Sequence, residues 1–304
     1  MTEKEKLECI LDGGIPDSPP HWELVFQIEK EMFGMDREAV PEADRAAFHL
    51  DVCHRLVDQF GWAAVSGGYE TKDIQRIKNA LGHKALVPAY EGAGVFWMPT
   101  GGDMMDFASR LYERPDELHA EARRKCDHAK EFFKQAVDAG ADFFVLAYDF
   151  GYNDAPFISP AHFADLVTPY LAELVGSIHG LGRKVILHSD GCIMQILDQL
   201  HSTGLDGYQS VDPQGHMDIK VVRERYPDWI LMGNVACNML QDTDEGRIRE
   251  SVRYCMAHGG VGKRYIFSTS NCIFNGMPPE SYRIMLAEYN RIRDESRVIS
   301  QAAS

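Results

Sequence analysis

The stretch KVILHSDGC, Lys184 to Cys192, passes from an apolar run into a histidine, an aspartate, a glycine and a cysteine within five positions. A β-branched apolar run that ends in potential metal ligands reads as a buried strand delivering chemistry at its C-terminal end. His188 and Asp190, at i and i+2, point to one face if the strand continues through them, so they can share one ion.

Working outward from this stretch, short β-branched and aromatic runs alternate with longer segments of helical periodicity from about residue 140. The strands expected there are DFFVLAY (142–148), KVILHS (184–189), DGYQSV (206–211), DWILMGNV (228–235) and RYIFSTS (264–270). Repeated strand–helix units imply parallel pairing with right-handed crossovers. In the front half, HWELVF (21–26), GWAAVSGG (61–68) and AGVFWMPT (93–100) supply three more runs, and eight close a barrel. The expected fold is therefore α/β: one (β/α)8 TIM-like barrel domain over residues 1–304, with an N-terminal helical extension ahead of the GGIPDSPP turn.

The helices carry their own punctuation. SPAHFADLVTPYLAELVGSIHGLG (159–182) opens with Ser159 as N-cap and Pro160 at the first helical position, while Pro169 predicts a kink or a break. Residues 37–61 and 114–140 read as long amphipathic helices, each closed by a glycine.

Composition excludes several classes of function. With 46 acidic against 31 basic side chains and a net charge of −15, the chain repels a phosphate backbone, so no nucleic-acid partner is expected. No apolar run approaches a membrane span, and the charged start MTEKEKLECI is unlike a signal peptide, which gives a cytoplasmic expectation. Seven widely spaced cysteines, an odd number in a chain of 304 residues, are expected to be reduced thiols.

In a barrel of this kind the loops after the strand ends build the active site. Those positions hold Glu23, then Trp97 and Met98, Asp149 with Tyr152 and Asn153, His188 with Asp190, Gln209 and Asp212, Asn234 with Cys237, and Asn271 with Cys272. Cys272 follows the last strand, where a closed sheet can bring it near His188. Imidazole, carboxylate and thiolate suit zinc with a fourth position left open, although spacing alone leaves Cys192 as a rival ligand.

The segments KVILHSDGCIMQILDQLHSTGLDGYQSVDP, WILMGNVACNML and GVGKRYIFSTSNCIFNGMPPESYRIMLAEY resemble, in order and spacing, the C-terminal half of the uroporphyrinogen decarboxylase-like superfamily. YDFGYNDAPFISPAHFADLVTPYLAELV and IPDSPPHWELVF look like its middle and its opening. The superfamily includes the decarboxylase and zinc-dependent methyltransferases that work with corrinoid proteins or methylcobalamin. Its methyltransferase branch typically binds zinc through an HxC pair and a later cysteine. The resemblance thus implies His188, Asp190 and Cys272 as metal ligands, with Asp190 replacing a sulfur by an oxygen and so making a harder Lewis acid.

Porphyrinogen decarboxylation fits poorly. The resemblance implies an arginine-rich segment near the first strand, yet no arginine occurs before Arg37. The aromatic candidates for the mouth, among them Phe26, Tyr90, Trp97, Tyr148 and Tyr152, suit a flat neutral or aromatic molecule. The expected activity is transfer of a methyl group from a methyl ether, such as a methoxyaromatic, or another methylated compound to the Co(I) corrinoid of a partner protein. Asp149, Glu23 and Tyr152 are expected to hold the substrate or deliver a proton; Trp97, Met98, Asn153, Phe26 and Asn234 are expected to bind it. The alternatives are methyl transfer from a methylated corrinoid to a thiol or pterin, and a tetrapyrrole-binding barrel.

Overall fold

The computed structural model describes residues 1–260 and 262–302, with side chains of the last helix described through Glu295. Six parallel strands run in chain order: β1 (Pro88–Glu91), β2 (Phe143–Ala147), β3 (Val185–His188), β4 (Gly207–Ser210), β5 (Ile230–Val235) and β6 (Tyr265–Thr269). Their side chains are buried on both faces almost throughout, as expected of a parallel sheet with helices outside and a packed interior.

Two shorter staves complete the ring. His21 bridges both Phe267 of β6 and Trp62, and Ala64 bridges Leu86, just ahead of β1. The backbone bonds follow the same circuit. Phe267 N donates to Pro20 O at 2.9 Å, Ala63 N to His21 O at 2.9 Å, and Leu86 N to Ala63 O at 2.9 Å. Six strands plus these two staves make the expected (β/α)8 barrel. The first stave is short for a covalent reason: Pro19 and Pro20 precede it and have no N–H to offer.

A buried carboxylate reinforces that weak seam. Glu23 has no exposed surface, and its Oε2 accepts from Ser268 Oγ (2.8 Å), Thr269 N (2.9 Å) and Thr269 Oγ1 (2.7 Å). Its other oxygen faces His21 Nε2 at 3.3 Å. Glu23, expected to hold substrate or deliver a proton, therefore fastens the first stave to the last strand.

Two further expectations are corrected. The strand expected over 93–100 is a loop; the third stave is β1, at 88–91. Gly92 and Gly94 follow β1 at once, and the loop buries Val95 and Phe96 while leaving Trp97 about half exposed. The helix expected from residue 37 begins at Arg45, because the chain around Pro41 forms only short 3-10 turns (Arg37–Ala39, Glu42–Asp44). By contrast, Pro169 breaks its helix as expected: Pro160–Leu166 ends at Val167 and Thr168–Gly180 starts anew. The N-terminal helix Glu3–Leu11 carries a Thr2/Glu5 capping box. No helix among the described residues is long and apolar enough to cross a membrane.

At the far side of the seam, helix Pro279–Ala302 is clamped to helix Glu245–Cys255. Glu288, almost wholly buried, meets Arg249 at 2.8 Å, Arg253 at 2.6 Å and Arg291 at 2.8 Å. These guanidiniums, Arg291 foremost and against the opposing effect of burial, hold its carboxyl down to about 2.

Two outcomes are expected. Glu23→Ala leaves the hydroxyl and amide donors at Ser268 and Thr269 without an acceptor, and should cost about 3 kcal/mol in denaturant unfolding. The Glu288 clamp contributes fully above the ordinary glutamate pKa and is lost as pH falls through about 2. In acid titrations of Tm, wild type should therefore lose stability over that window more steeply than Glu288→Gln.

Candidate metal centre and its flanking cavities

His188 ends β3 beside Gln209 of β4, its register partner. Gln209 is fully buried, and its Nε2 points at the carbonyls of Thr269 and Ser270, each at 3.4 Å. That orientation turns Oε1 toward His188 Nδ1, with which it is hydrogen-bonded. Because an amide oxygen can only accept, Nδ1 carries the proton and donates. In the neutral ring the Nε2 lone pair then faces two carboxylates, Asp149 Oδ1 at 3.6 Å and Asp190 Oδ2 at 4.0 Å.

Ligand atoms of Asp149, His188 and Asp190 all lie within 4.8 Å of one another. Each is held from behind. Asp149 Oδ1 accepts from Asp190 N at 3.1 Å, Asp190 Oδ1 accepts from Ser210 Oγ at 2.7 Å, and the Asn271 amide donates to Asp190 Oδ2. Gly191, with φ +78°, lets the loop turn back so closely that a Cβ there would meet Gly151 O at 2.3 Å. Burial pushes the Asp190 carboxyl up, opposed by the neighbouring His188 and by the Ser210 hydroxyl.

An imidazole lone pair and two carboxylates aimed at one point repel each other unless a cation or a proton lies between them. One nitrogen and two oxygens, with Asp149 about half exposed, form a donor set compatible with zinc that leaves a position open. The orienting bond from Gln209 is the support such ligands require.

Cys272 does not join this group. After β6 the chain turns so that Asn271, one residue earlier, reaches Asp190. Cys272 lies instead in an adjoining crevice of about 280 Å³ with Asp190, Asn271 and Cys237. There Ser270 Oγ donates to Cys237 Sγ (3.6 Å) and Cys237 Sγ to Cys272 O (3.6 Å). Burial, followed by Cys237, Glu23 and Asp190, pushes the Cys272 thiol up to about 12.

Asp149 also borders a larger cavity of about 670 Å³, lined by Trp97, Met98, Tyr69, Tyr90 and Glu91. The other expected residues lie elsewhere. Tyr152 donates to Pro99 O (3.3 Å) over a separate groove with Phe107 and Tyr112, and Asn153 is exposed on the same loop. Phe26 is buried against Phe33, Phe60, Trp62 and Tyr282. Asn234 donates to Val211 O (2.8 Å) and accepts from Cys255 Sγ (3.2 Å), facing a cavity with Met217, Arg247 and Tyr254. Cys192 donates its backbone N–H to Tyr152 O (2.7 Å).

Sequence reasoning missed Glu91 and Ser210. Glu91 ends an apolar run, LVPAYE, in the same manner as His188, and that signal was available.

A family model described as uroporphyrinogen decarboxylase matches residues 75–292. No curated protein matches by sequence. Among solved structures, a methyltransferase from Methanosarcina mazei superposes with TM-score 0.77 at 16% identity, covering 96% of this chain and 99% of that one. A B12-independent methionine synthase from Shewanella sp. W3-18-1 gives 0.52 at 12% identity, covering 76% and 67%. The 3-keto-D-glucoside 4-epimerase YcjR from E. coli gives 0.51 at 12%, covering 84% and 97%. At these identities the likeness is one of fold.

Gln209→Leu should release the His188 ring and lower metal affinity by about 10- to 100-fold with little change in the far-ultraviolet circular dichroism, as competition with a chromophoric chelator would measure.

Proposed function

We propose that this chain, which belongs to the uroporphyrinogen decarboxylase family, is a methyltransferase of that superfamily. As one barrel domain, it moves a methyl group from a methyl ether or another small methylated compound to the Co(I) corrinoid of a partner protein. Asp149, His188 and Asp190 hold its metal, zinc. The observation that carries this reading is the convergence of those three groups at 4.8 Å or less on the barrel mouth, beside a cavity large enough for a small molecule.

When bound, zinc supplies Lewis acidity toward a substrate heteroatom, which offsets charge developing as its bond to the methyl carbon breaks. The chain's own residues do the positioning. Gln209 fixes the tautomer and direction of His188, and Ser210 with Asn271 fixes Asp190. Asp149 belongs both to the centre and to the cavity lining, and Trp97 and Met98 line that same cavity. Glu23 and Phe26 take no part, since both are committed to the barrel's packing. Decarboxylation of a polyanion is disfavoured because no lysine or arginine lines either the larger cavity or the thiol-bearing crevice.

Purified protein should carry about one zinc per chain by elemental analysis, and His188→Ala or Asp190→Ala should release it. Cys272→Ala should retain metal, in line with the carboxylate-rich set. With a reduced corrinoid protein and a panel of methylated compounds, the cobalt spectrum should change only for metal-loaded enzyme. Full metal in His188→Ala would overturn the assignment. Reaction only in the opposite direction, onto a thiol or pterin, would reverse the roles of donor and acceptor.

A further inference from the structure

The cavity beside Asp149 has a charge pattern that the metal centre does not account for. Glu91 is 6% exposed, lines this cavity, and among the described residues has no ion-pair partner. Its oxygens accept instead from neutral donors: Ala93 N (2.7 Å), Gly94 N (3.0 Å) and the Tyr148 hydroxyl. Among the described residues the cavity lining contains one other carboxylate, Asp149, and no lysine or arginine; His128 is the one basic side chain there and carries charge only when protonated. A divalent ion at the centre would offset Asp149 and Asp190, leaving Glu91 as a buried negative charge facing water or ligand.

Aromatic faces surround the same space. Tyr69 and Tyr90 lie with ring centroids 5.9 Å apart, and a Cβ built on Gly92 meets the Trp97 ring at 3.7 Å and the Tyr69 ring at 3.8 Å. Burial and then the Glu91 charge push the Tyr69 phenol up, so its ring stays neutral and electron-rich. Rings with a buried carboxylate behind them are the physical recipe for holding an organic cation.

Resting on the proposed methyl transfer, we infer that its substrate is a cation. It is a methyl-bearing small molecule with an ammonium group, whose charge is held at the wall formed by Glu91, Tyr69 and Trp97 while its methyl-bearing heteroatom faces Asp149. The ammonium is a recognition handle; the methyl leaves from the other end.

Three probes of one shape and different charge test this by titration calorimetry: 2-(4-methoxyphenyl)ethylammonium, neutral 1-ethyl-4-methoxybenzene and 4-methoxyphenylacetate. The cation should bind about ten-fold tighter than the neutral probe, with the anion weakest. Glu91→Gln should reduce the cation's advantage to about two-fold while leaving the neutral probe's affinity in place. Should that buried substitution fail to fold, exposed Tyr69 provides the second test. Tyr69→Leu should lose most of the cation preference and Tyr69→Phe should keep it. Equal binding of cation and neutral probe, preference for the anion, or no binding by any of the three overturns the inference. Zinc content measured on the same samples reports on the metal centre separately, so the two readings fail independently.

Discussion

The structure depends on a carboxylate that never meets solvent. Glu23 gathers donors from Ser268 and Thr269, and the residues that follow Thr269 are the ones that orient the site. The carbonyls of Thr269 and Ser270 set the direction of the Gln209 amide, and Asn271 holds Asp190. Ring closure and ligand geometry are therefore one event. A buried anion is costly unless its oxygens are satisfied, and here the hydrogen bonds that satisfy it also join the first stave to the last.

Two cavities adjoin the candidate metal centre. Asp149 lines an aromatic cavity, and Asp190 lines a smaller thiol-bearing crevice. Neither space is lined by a lysine or arginine, in a chain whose net charge is −15. The field at the opening favours cations and disfavours polyanions before any contact forms. The candidate centre is itself part of that field, because two of its three side chains are carboxylates.

Much of this was legible in the sequence, and the failures have identifiable causes. The strands from DFFVLAY onward were marked by β-branched runs with polar residues at their ends, which is why His188 and Asp190 were expected as metal ligands and Asp149 as a group that holds substrate or delivers a proton. GVFWMP misled because aromatic density imitates a strand, whereas the true stave, PAYE, is short and opens with proline. Cys272 was expected at the centre and Asn271 arrived there, because strand periodicity no longer governs direction once the strand has ended at Thr269. Glu23 was expected among the residues of the mouth, but its partners lie 245 and 246 residues away, a distance over which no local pattern carries information.

That same separation orders events during biosynthesis. A ribosome that has released the first two hundred residues has produced β1 to β3, yet the Ser268 and Thr269 donors to the carboxylate at position 23 have not been made. Until the Ser268–Thr269 segment emerges, the nascent sheet is an open crescent with two bare edges, the condition in which parallel sheets are slow to mature and prone to wrong association. The ring can therefore shut only after residue 269 has been made, and until then both edges of the sheet lack their partners.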